Sequence, residues 1–558
     1  MICGIFILWL FSIVRCSRYE KVDLKSWLKS YKTGILISIL ISCIVFISVK
    51  PIYRVLADET NLLGVSKSMA YEKRTDNITM GRWYYDNFYP LSRGADKRPL
   101  LFPFLVSLIH TFFGYRAENA FILNFLVLFS LLLLIYIAMK NVFGEIWGIA
   151  SIIFVVSQPI IVQCATSGGF ELLSTLFLVV CFCCLKGFLE KPDSSLRFQL
   201  LWASLLMLAS IRYEGIISFF LVIIILTVLK YVKVSFFKED INLIYFFTPL
   251  VLLSNYLAGI LIQNPYEVTA GQPAFSVKYL IKNSIDIYKS LIDFRFYIPY
   301  ATVINLIGAI ALLYFINKFL EGAFLEKRNR NHLIAISAVC ILVNFFSHLF
   351  YHQGWISHPS DTRFFIAYAM TLSILALIFM YSIDFFKKRP VYILLFSIMM
   401  FILYQPVSVE DRFSRTQTLP REYRFVMYYL EQEGRKNNNS FVVVADRPGM
   451  YTVHNYGAVD FNYANNNSDD LLGGFNTHLY RDIFAVQKIE YKTLKPAKDN
   501  ELDRKYVLKT LAESQIDGDV FVRISRVLPM RQVFKPAEPT TSPAAQKVTP
   551  QQVPNYSS

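Results

Sequence analysis

The sequence holds no glycine-rich phosphate loop: neither GxxxxGKS/T nor a GxGxxG following a strand occurs. That argues against a nucleotide-activated ligand cradled in a soluble Rossmann-like domain. The HExxH pattern of zinc hydrolases is missing too, and no internal repeat of the kind secondary transporters carry is visible. Cysteine gives no frame. The eight cysteines (Cys3, Cys16, Cys43, Cys164, Cys181, Cys183, Cys184 and Cys340) fall almost entirely in apolar stretches, and the C-terminal region has none. Cys181 and Cys184 have CxxC spacing but no second pair, so all eight read as small membrane hydrophobes. Charge is scarce as well, at 17% of residues against 54% apolar and 16% aromatic, with a mean hydropathy of +0.41. Ordinary soluble domains are about one quarter charged.

What is present is a series of apolar runs of about eighteen to twenty-two residues, the length a helix needs to cross a hydrocarbon core. The first clear run is 33–49, preceded by Arg15, Arg18, Lys21, Lys25, Lys29 and Lys32. The positive-inside rule puts that cluster in the cytoplasm and the next loop outside. Further spans read at 119–139, 144–163, 170–189, 198–211, 215–232, 241–262, 299–319, 332–350, 364–383 and 391–404. Alternating them places Lys140, Lys186, Lys191, Lys230, Lys233, Lys318, Lys327, Lys387 and Lys388 all on the inner side. The expected fold is therefore an α-helical polytopic membrane protein of about eleven spans. It would sit in the plasma (inner) membrane. The net charge of +15 is explained by these loops and by anionic headgroups, so no nucleic-acid partner is expected.

Three segments lie outside that series. Residues 1–14 are apolar but short, with their basic residues after the run rather than before it. An interfacial anchor, an extra span and an upstream mis-start all remain open there. Residues 99–113, interrupted by Pro103, read as a helix at the outer surface or partly inserted. Past Tyr404 the composition turns polar, with strand-like 441–446 and 520–527 and helix-like 421–436, implying a small α/β domain on the outer face. The chain thus divides into a flank (1–32), a membrane domain (33–404) with an outer loop at 51–99, an outer α/β domain (405–532) and a disordered tail (533–558).

The alternation delivers one set of polar residues to the outer side. The 51–99 loop opens with Asp58-Glu59 and goes on through Arg82, Trp83, Tyr84, Tyr85, Arg93, Lys97 and Arg98. Short turns add Glu171, then Arg212 and Glu214, and finally His348, His352, His358, Asp361 and Arg363. Taken singly, an Asp-Glu pair is a good helix start and an interfacial Arg is a good anchor. Together they form a group of acids and bases on one membrane face, where each charge costs about 2.5–3.5 kcal/mol if carried to the bilayer centre. Transfer of a group from a membrane-held phosphate suits such a set. A lipid phosphate leaving group needs cations, for which Lys97, Arg98, Arg212 and Arg363 are candidates. A hydroxyl acceptor needs a carboxylate to take its proton, the role open to Asp58 or Glu59. Trp83 and Tyr84 offer faces for a sugar ring, and Glu171 and Glu214 offer hydrogen-bond acceptors. His348 and His352 have i, i+4 spacing with His358 and Asp361 nearby, tolerable for zinc, but no metal or other cofactor is expected.

The order of a span, an Asp-Glu pair, an aromatic outer loop, Lys97-Arg98-Pro99-Leu100 and an apolar stretch ending at Phe112-Phe113-Gly114 resembles the type-C glycosyltransferase superfamily. The likeness is strongest to its protein O-mannosyltransferase and aminoarabinose-transferase branch and covers residues 33–404. It implies an integral membrane enzyme taking a sugar from a polyprenyl-phosphate donor on the non-cytoplasmic face, with inversion, and passing it to a hydroxyl acceptor on protein, lipid or glycan. Asp58 occupies the position of the family's catalytic acid, and Glu59 matches the second member of the pair. Lys97 matches a lysine placed near the donor phosphate, with Arg98 standing where relatives have a proline. Arg363-Phe364-Phe365 resembles an Arg-aromatic signature before a late span, and Glu171 falls where relatives often carry Asp. A lipid-linked-sugar flippase or another polytopic transporter is the alternative.

Overall fold

Asp23 begins the first long membrane helix by accepting a hydrogen bond from the Lys25 N–H (3.0 Å), after which an apolar run carries the helix to Ser48. The computed structural model describes residues 2–84, 87–232, 244–245, 247–253, 273, 275–292, 301–321, 328–356, 361–404, 418–437, 441–517 and 519–528. Its elements in chain order begin with α1 (Ile2–Tyr19), α2 (Leu24–Ser48), α3 (Leu56–Tyr71), β1 (Asp76–Tyr84), β2 (Asn87–Ala95), α4 (Leu101–Phe113) and α5 (Asn119–Phe143). There follow α6 (Glu145–Val156), α7 (Pro159–Ala165), α8 (Glu171–Glu190), α9 (Ser195–Ala209), α10 (Tyr213–Val228), α11 (Val277–Ile292), α12 (Thr302–Leu320) and α13 (Arg328–Phe350). The membrane series ends with α14 (Ile366–Ser382), α15 (Asp384–Lys388) and α16 (Val391–Tyr404). Beyond it come α17 (Thr418–Asn437), β3 (Phe441–Val444), α18 (Gly449–Thr452), β4 (Gly457–Val459), α19 (Phe461–Asn466), α20 (Ser468–Asn476), β5 (Asp482–Glu490), β6 (Leu508–Asp517) and β7 (Val520–Val527).

Two compact units emerge. The membrane unit comprises 1–52, 97–109 and 118–413. Among the described residues six helices are long and apolar enough to cross a membrane, and α6 with α7 would make a seventh. This is an integral membrane protein. The expected count of eleven is not reproduced on length. The expected spans 198–211 and 215–232 are the shorter helices α9 and α10, because the chain unwinds between them around Arg212. The expected span at 241–262 lies largely outside the described residues. The expected span 144–163 is broken by a 77° bend between α6 and α7, where Pro159 removes a backbone N–H. Gln158 closes the break: its Nε2 donates to Asn305 Oδ1 (2.8 Å) and Ser373 Oγ (3.1 Å), and its Oε1 accepts from the Ala301 N–H (3.0 Å). Residues 1–14 belong to α1, a helix of spanning length packed on α9, with Trp9 Nε1 donating to Ser204 Oγ (3.1 Å) and Arg15 to Gln199 (3.3 Å).

The second unit comprises 53–96, 110–117 and 414–558. Its described strands form one seven-stranded sheet in the order β2-β1-β4-β3-β5-β7-β6. The middle strands β4, β3 and β5 are parallel. β3, Phe-Val-Val-Val, is buried at all four positions, the mark of a parallel strand covered on both faces. Val442 and Val444 pack with Phe461, Leu471 and Ile483 on one side, and Phe441 meets Tyr456 and Phe484 on the other. The expected strands and helix at 441–446, 520–527 and 421–436 appear as β3, β7 and α17, whereas β4, β5 and β6 lacked a clear signal in the sequence. The expected tail at 533–558 lies outside the described residues.

The compact units do not follow the expected boundary at residue 405. The 51–99 loop, expected as part of the membrane domain, folds almost wholly into the sheet unit. Gly81 of β1 pairs with Ala458 of β4, Thr452 Oγ1 donates to the Ile78 carbonyl (2.9 Å), and Trp83 Nε1 donates to the Asn455 carbonyl (2.7 Å). Gly81 has no space for a side chain: a Cβ there would lie 2.6 Å from the Phe88 ring. Pairing between segments so distant in sequence leaves no local signature.

Candidate active site

The Asp58-Glu59 pair starts α3, and the two carboxylates sit in different surroundings. Glu59 is buried, at 2% exposure, and its Oε2 accepts the Arg54 N–H at 2.7 Å, so the side chain reaches back over the turn that begins the helix. The Asp58 and Glu59 amides both bond to the Val55 carbonyl (3.0 Å), which closes the same turn. Asp58 is only half-buried. One acid holds the turn, and its neighbour is carried on it. Two turns along the same helix, Lys67 donates to the Thr452 carbonyl (3.1 Å) with its ammonium over the Phe88 and Tyr115 rings (5.1 and 5.0 Å). Burial lowers its pKa to about 8. Trp83 spends its indole N–H on Asn455 and meets Phe88 edge-on at 5.5 Å, while Tyr84 is exposed at the strand end. Arg82 pairs with Asp470 at 2.6 Å. Tyr85 lies outside the described residues.

Inside the membrane unit the structure brings Glu171, Arg212, Glu214 and Arg363 together. Glu171, Arg212 and Glu214 line one cavity with Ser174, Ser218, Asn344, His348 and Phe364, and Arg363 is held beside it by its pair with Glu171. Helix ends build it. Glu171 opens α8, Arg212 precedes the first residue of α10, and Arg363 lies in the 3-10 turn Thr362–Phe365 that leads into α14. Three N-termini with their unsatisfied N–H groups thus contribute to one cavity, an arrangement that favours an anion. The charges are paired: Arg363 with Glu171 at 3.0 Å and Arg212 with Glu214 at 2.9 Å. His348, from the last turn of α13, places Nε2 3.1 Å from the same Glu214 oxygen that Arg212 holds. Phe364 sits among the cations, with the Arg212 and Arg363 guanidinium carbons 5.1 and 5.0 Å from its centroid and the His348 ring stacked at 5.6 Å. Gly215 makes the approach of α10 to α9 possible, since a Cβ there would lie 2.4 Å from the Leu208 carbonyl oxygen.

Lys97 and Arg98 are tied to the same helix end. The Tyr213 hydroxyl donates to the Lys97 carbonyl, and the Leu101 N–H donates to the Ser210 carbonyl (3.1 Å). At the other end of the 53–96 excursion, the Ile52 N–H donates to the Thr166 carbonyl (3.1 Å), on the turn that leads to Glu171. The histidines do not assemble as the zinc spacing suggested. His348 goes to Glu214, His352 meets the Tyr351 ring at 4.4 Å, and His358 lies outside the described residues. Among the described residues no three His, Cys, Asp or Glu side chains are grouped to hold a metal. Sequence reasoning missed Phe364 as the ring between the cations and Tyr213 as the tie to Lys97. The only signal for either was its position beside an arginine already singled out.

The chain shares its fold with solved structures of ArnT. The chain superimposes on ArnT, an aminoarabinose transferase, from Cupriavidus metallidurans in the apo state with a TM-score of 0.51 and 11% identity, over 92% of this chain and 100% of that one. For ArnT bound to undecaprenyl phosphate the TM-score is 0.50 with 11% identity, covering 90% and 98% of the two chains. An oligosaccharyltransferase from Archaeoglobus fulgidus, in complex with Zn and sulfate, aligns at a TM-score of 0.43 and 10% identity over 81% of this chain and 67% of that one. No protein-family model matches the sequence, and no curated protein matches it.

Proposed function

We propose that the protein transfers a sugar from a polyprenyl-phosphate carrier to a hydroxyl acceptor on the non-cytoplasmic face of the plasma membrane. The observation that carries this reading is the cavity at three helix N-termini lined by Arg212, with Arg363 held beside it on Glu171, in a membrane unit of a chain that shares the ArnT fold. A phosphate ester fits that chemistry. Arginines recognise its oxygens with paired N–H donors, and helix ends add partial positive charge. That one ArnT structure is bound to undecaprenyl phosphate supports the same donor class. Lys97, whose carbonyl accepts from Tyr213 beside Arg212, and its neighbour Arg98 would add cations to the leaving phosphate.

Asp58 is the base in this reading. It takes the acceptor hydroxyl proton as that oxygen attacks the anomeric carbon, and the bond from carbon to phosphate oxygen breaks with inversion, releasing the polyprenyl phosphate. Glu59 acts by fixing the turn that carries Asp58. Tyr84 and the face of Trp83 are available to a sugar ring, and Glu171 and Glu214 hold the two arginines. The test is transfer of radiolabelled sugar from membrane lipid extract to endogenous acceptors by the full chain in vesicles. Wild type should label a product and Asp58→Asn should not, although both insert equally. Equal labelling by both proteins would remove Asp58 from the chemistry.

A further inference from the structure

From the sharing of one Glu214 oxygen by two cations, we infer that His348 is a positioning residue that takes over Glu214 when Arg212 turns to the donor phosphate, making donor binding proton-linked. The inference rests on the proposed role of Arg212 as a phosphate contact.

Arg212 cannot give its full charge to a phosphate while it neutralises Glu214. Removing one partner of a buried ion pair is strongly unfavourable, because the other charge is left alone in a poorly solvated place. Glu214 avoids that state here. Its Oε1 is 2.9 Å from Arg212 and 3.1 Å from His348 Nε2, so a second counter-ion is in place before the first departs. The geometry also sets the proton count. His348 Nδ1 lies 2.8 Å from the Asn344 carbonyl oxygen, which can only accept, so Nδ1 must carry a proton. Nε2 faces a carboxylate, which likewise accepts when ionised. An imidazolium satisfies both contacts, and a neutral ring satisfies only one.

The other groups around His348 do not supply this charge. Arg212 and Glu214 come from α10, Glu171 from α8 and Arg363 from the turn before α14, with Glu171 and Arg363 paired to each other. On the α11 side Tyr279 meets His352 and Lys282 lies over the Trp355 ring, while Asn283 bonds the backbone at Leu349. With His348 charged, the cluster of Arg212, His348, Arg363, Glu171 and Glu214 has three cations against two carboxylates. With it neutral the charges cancel, and an arriving phosphate must break the Arg212 pair without compensation.

The probe is a short-chain polyprenyl methyl phosphate, a diester with one negative charge throughout the working range, binding to the full-length protein in detergent. Calorimetry in two buffers of different ionisation enthalpy gives both affinity and protons taken up. Wild type should lose up to about tenfold in affinity per pH unit as the pH is raised, with proton uptake on binding. His348→Gln keeps an N–H toward Glu214 but no charge, and should bind weakly at all pH values with no uptake. Glu214→Gln removes the need for the counter-ion and should bind at least as tightly as wild type, also without pH dependence. A loss that was merely structural would weaken both variants alike. Unchanged proton uptake in His348→Gln would overturn the inference while leaving the donor site intact. Absence of binding by wild type at every pH would instead overturn the proposed donor site itself.

Discussion

Charge is handled in opposite ways in the two units. In the membrane cavity Arg212, Glu214, His348, Arg363 and Glu171 each have an opposite charge within 2.9–3.1 Å. In the sheet unit, buried titratable groups are left off balance. Burial takes Lys67 down to about 8 and His454 down to about 4, and raises Glu422 to about 7 although Lys488 lies 3.4 Å from it. Hydrocarbon surroundings tolerate an ion only with its partner, whereas the interior of a polar domain can shift a group's proton affinity instead. The two units thus meet a buried charge differently, the membrane unit by pairing it and the sheet unit by shifting its proton affinity.

The largest effect that could break this division is at Asp58. Asp58→Asn keeps shape and hydrogen bonding but cannot take a proton, and should lower turnover by about 10²–10⁴-fold. Donor affinity, set by the membrane cavity, should stay within about twofold. Single-turnover transfer and equilibrium donor binding measured on the same preparation check both halves. A variant that lost donor binding as well would place Asp58 with the binding groups rather than the proton-moving ones.

Next comes the Arg363–Glu171 pair, with side-chain exposures of 9% and 2%. Arg363→Met leaves Glu171 buried without its partner and should destabilise the membrane unit by about 3–5 kcal/mol. Adding Glu171→Leu should restore most of that loss, because an apolar pair of similar volume needs no neutralisation. Thermal unfolding of the single and double variants in detergent measures the cycle. If the double variant is no better than Arg363→Met, the pair contributes packing rather than charge balance.

These differences also decided what could be read from sequence. Glu171, Arg212, Glu214 and Arg363 stood out because charges in an apolar chain are rare and expensive, and the structure places the first three on one cavity with Arg363 paired to Glu171. The sheet unit hid more. Charges are ordinary there, so Lys67 and Glu422 gave no signal before their burial was known. The attachment of the 76–95 hairpin to β4 rests on Gly81 facing Ala458, which no local pattern encodes. Periodicity found β3 and β7, whose apolar residues are dense, but missed β5 and β6, where Gln487, Lys488, Lys509 and Glu513 interrupt the pattern. His348 was visible as a residue but not as a partner of Glu214, since i, i+4 spacing pointed to its neighbour His352.

Lys67 sharpens the comparison from the sheet side. Its folded pKa, about 8, lies below the ordinary 10.5, so the unfolded chain binds the proton more tightly. Stability should therefore rise as pH climbs from about 8 towards 10.5, and the cost of the buried ammonium is fully present below 8. Lys67→Met removes an ammonium from between Phe88 and Tyr115 and should stabilise the sheet unit at pH 7 by about 2–3 kcal/mol. Hydrogen exchange in β1 and β3 of the full chain reads this directly. Faster exchange in the variant at pH 7 would mean that the bond to Thr452 and the two ring contacts outweigh desolvation.

The smallest expected effect is at Glu422, and it runs with the opposite sign in pH. Its folded pKa of about 7 lies above the ordinary 4.5 because burial outweighs the attraction of Lys488. The folded state therefore keeps a proton that the unfolded chain gives up, and stability falls as pH rises between 4.5 and 7. Glu422→Gln abolishes that fall. The gain above pH 7 should be modest, about 1 kcal/mol, because the variant also gives up the attraction of Lys488. Lys488 itself remains paired, with Asp446 at 2.6 Å. Exchange protection of β5 across pH 5–8 should then be flat in the variant and decline in wild type. A decline that persists unchanged would mean that Glu422 is not its source, and would put this corner of the sheet under the same pairing rule as the membrane cavity.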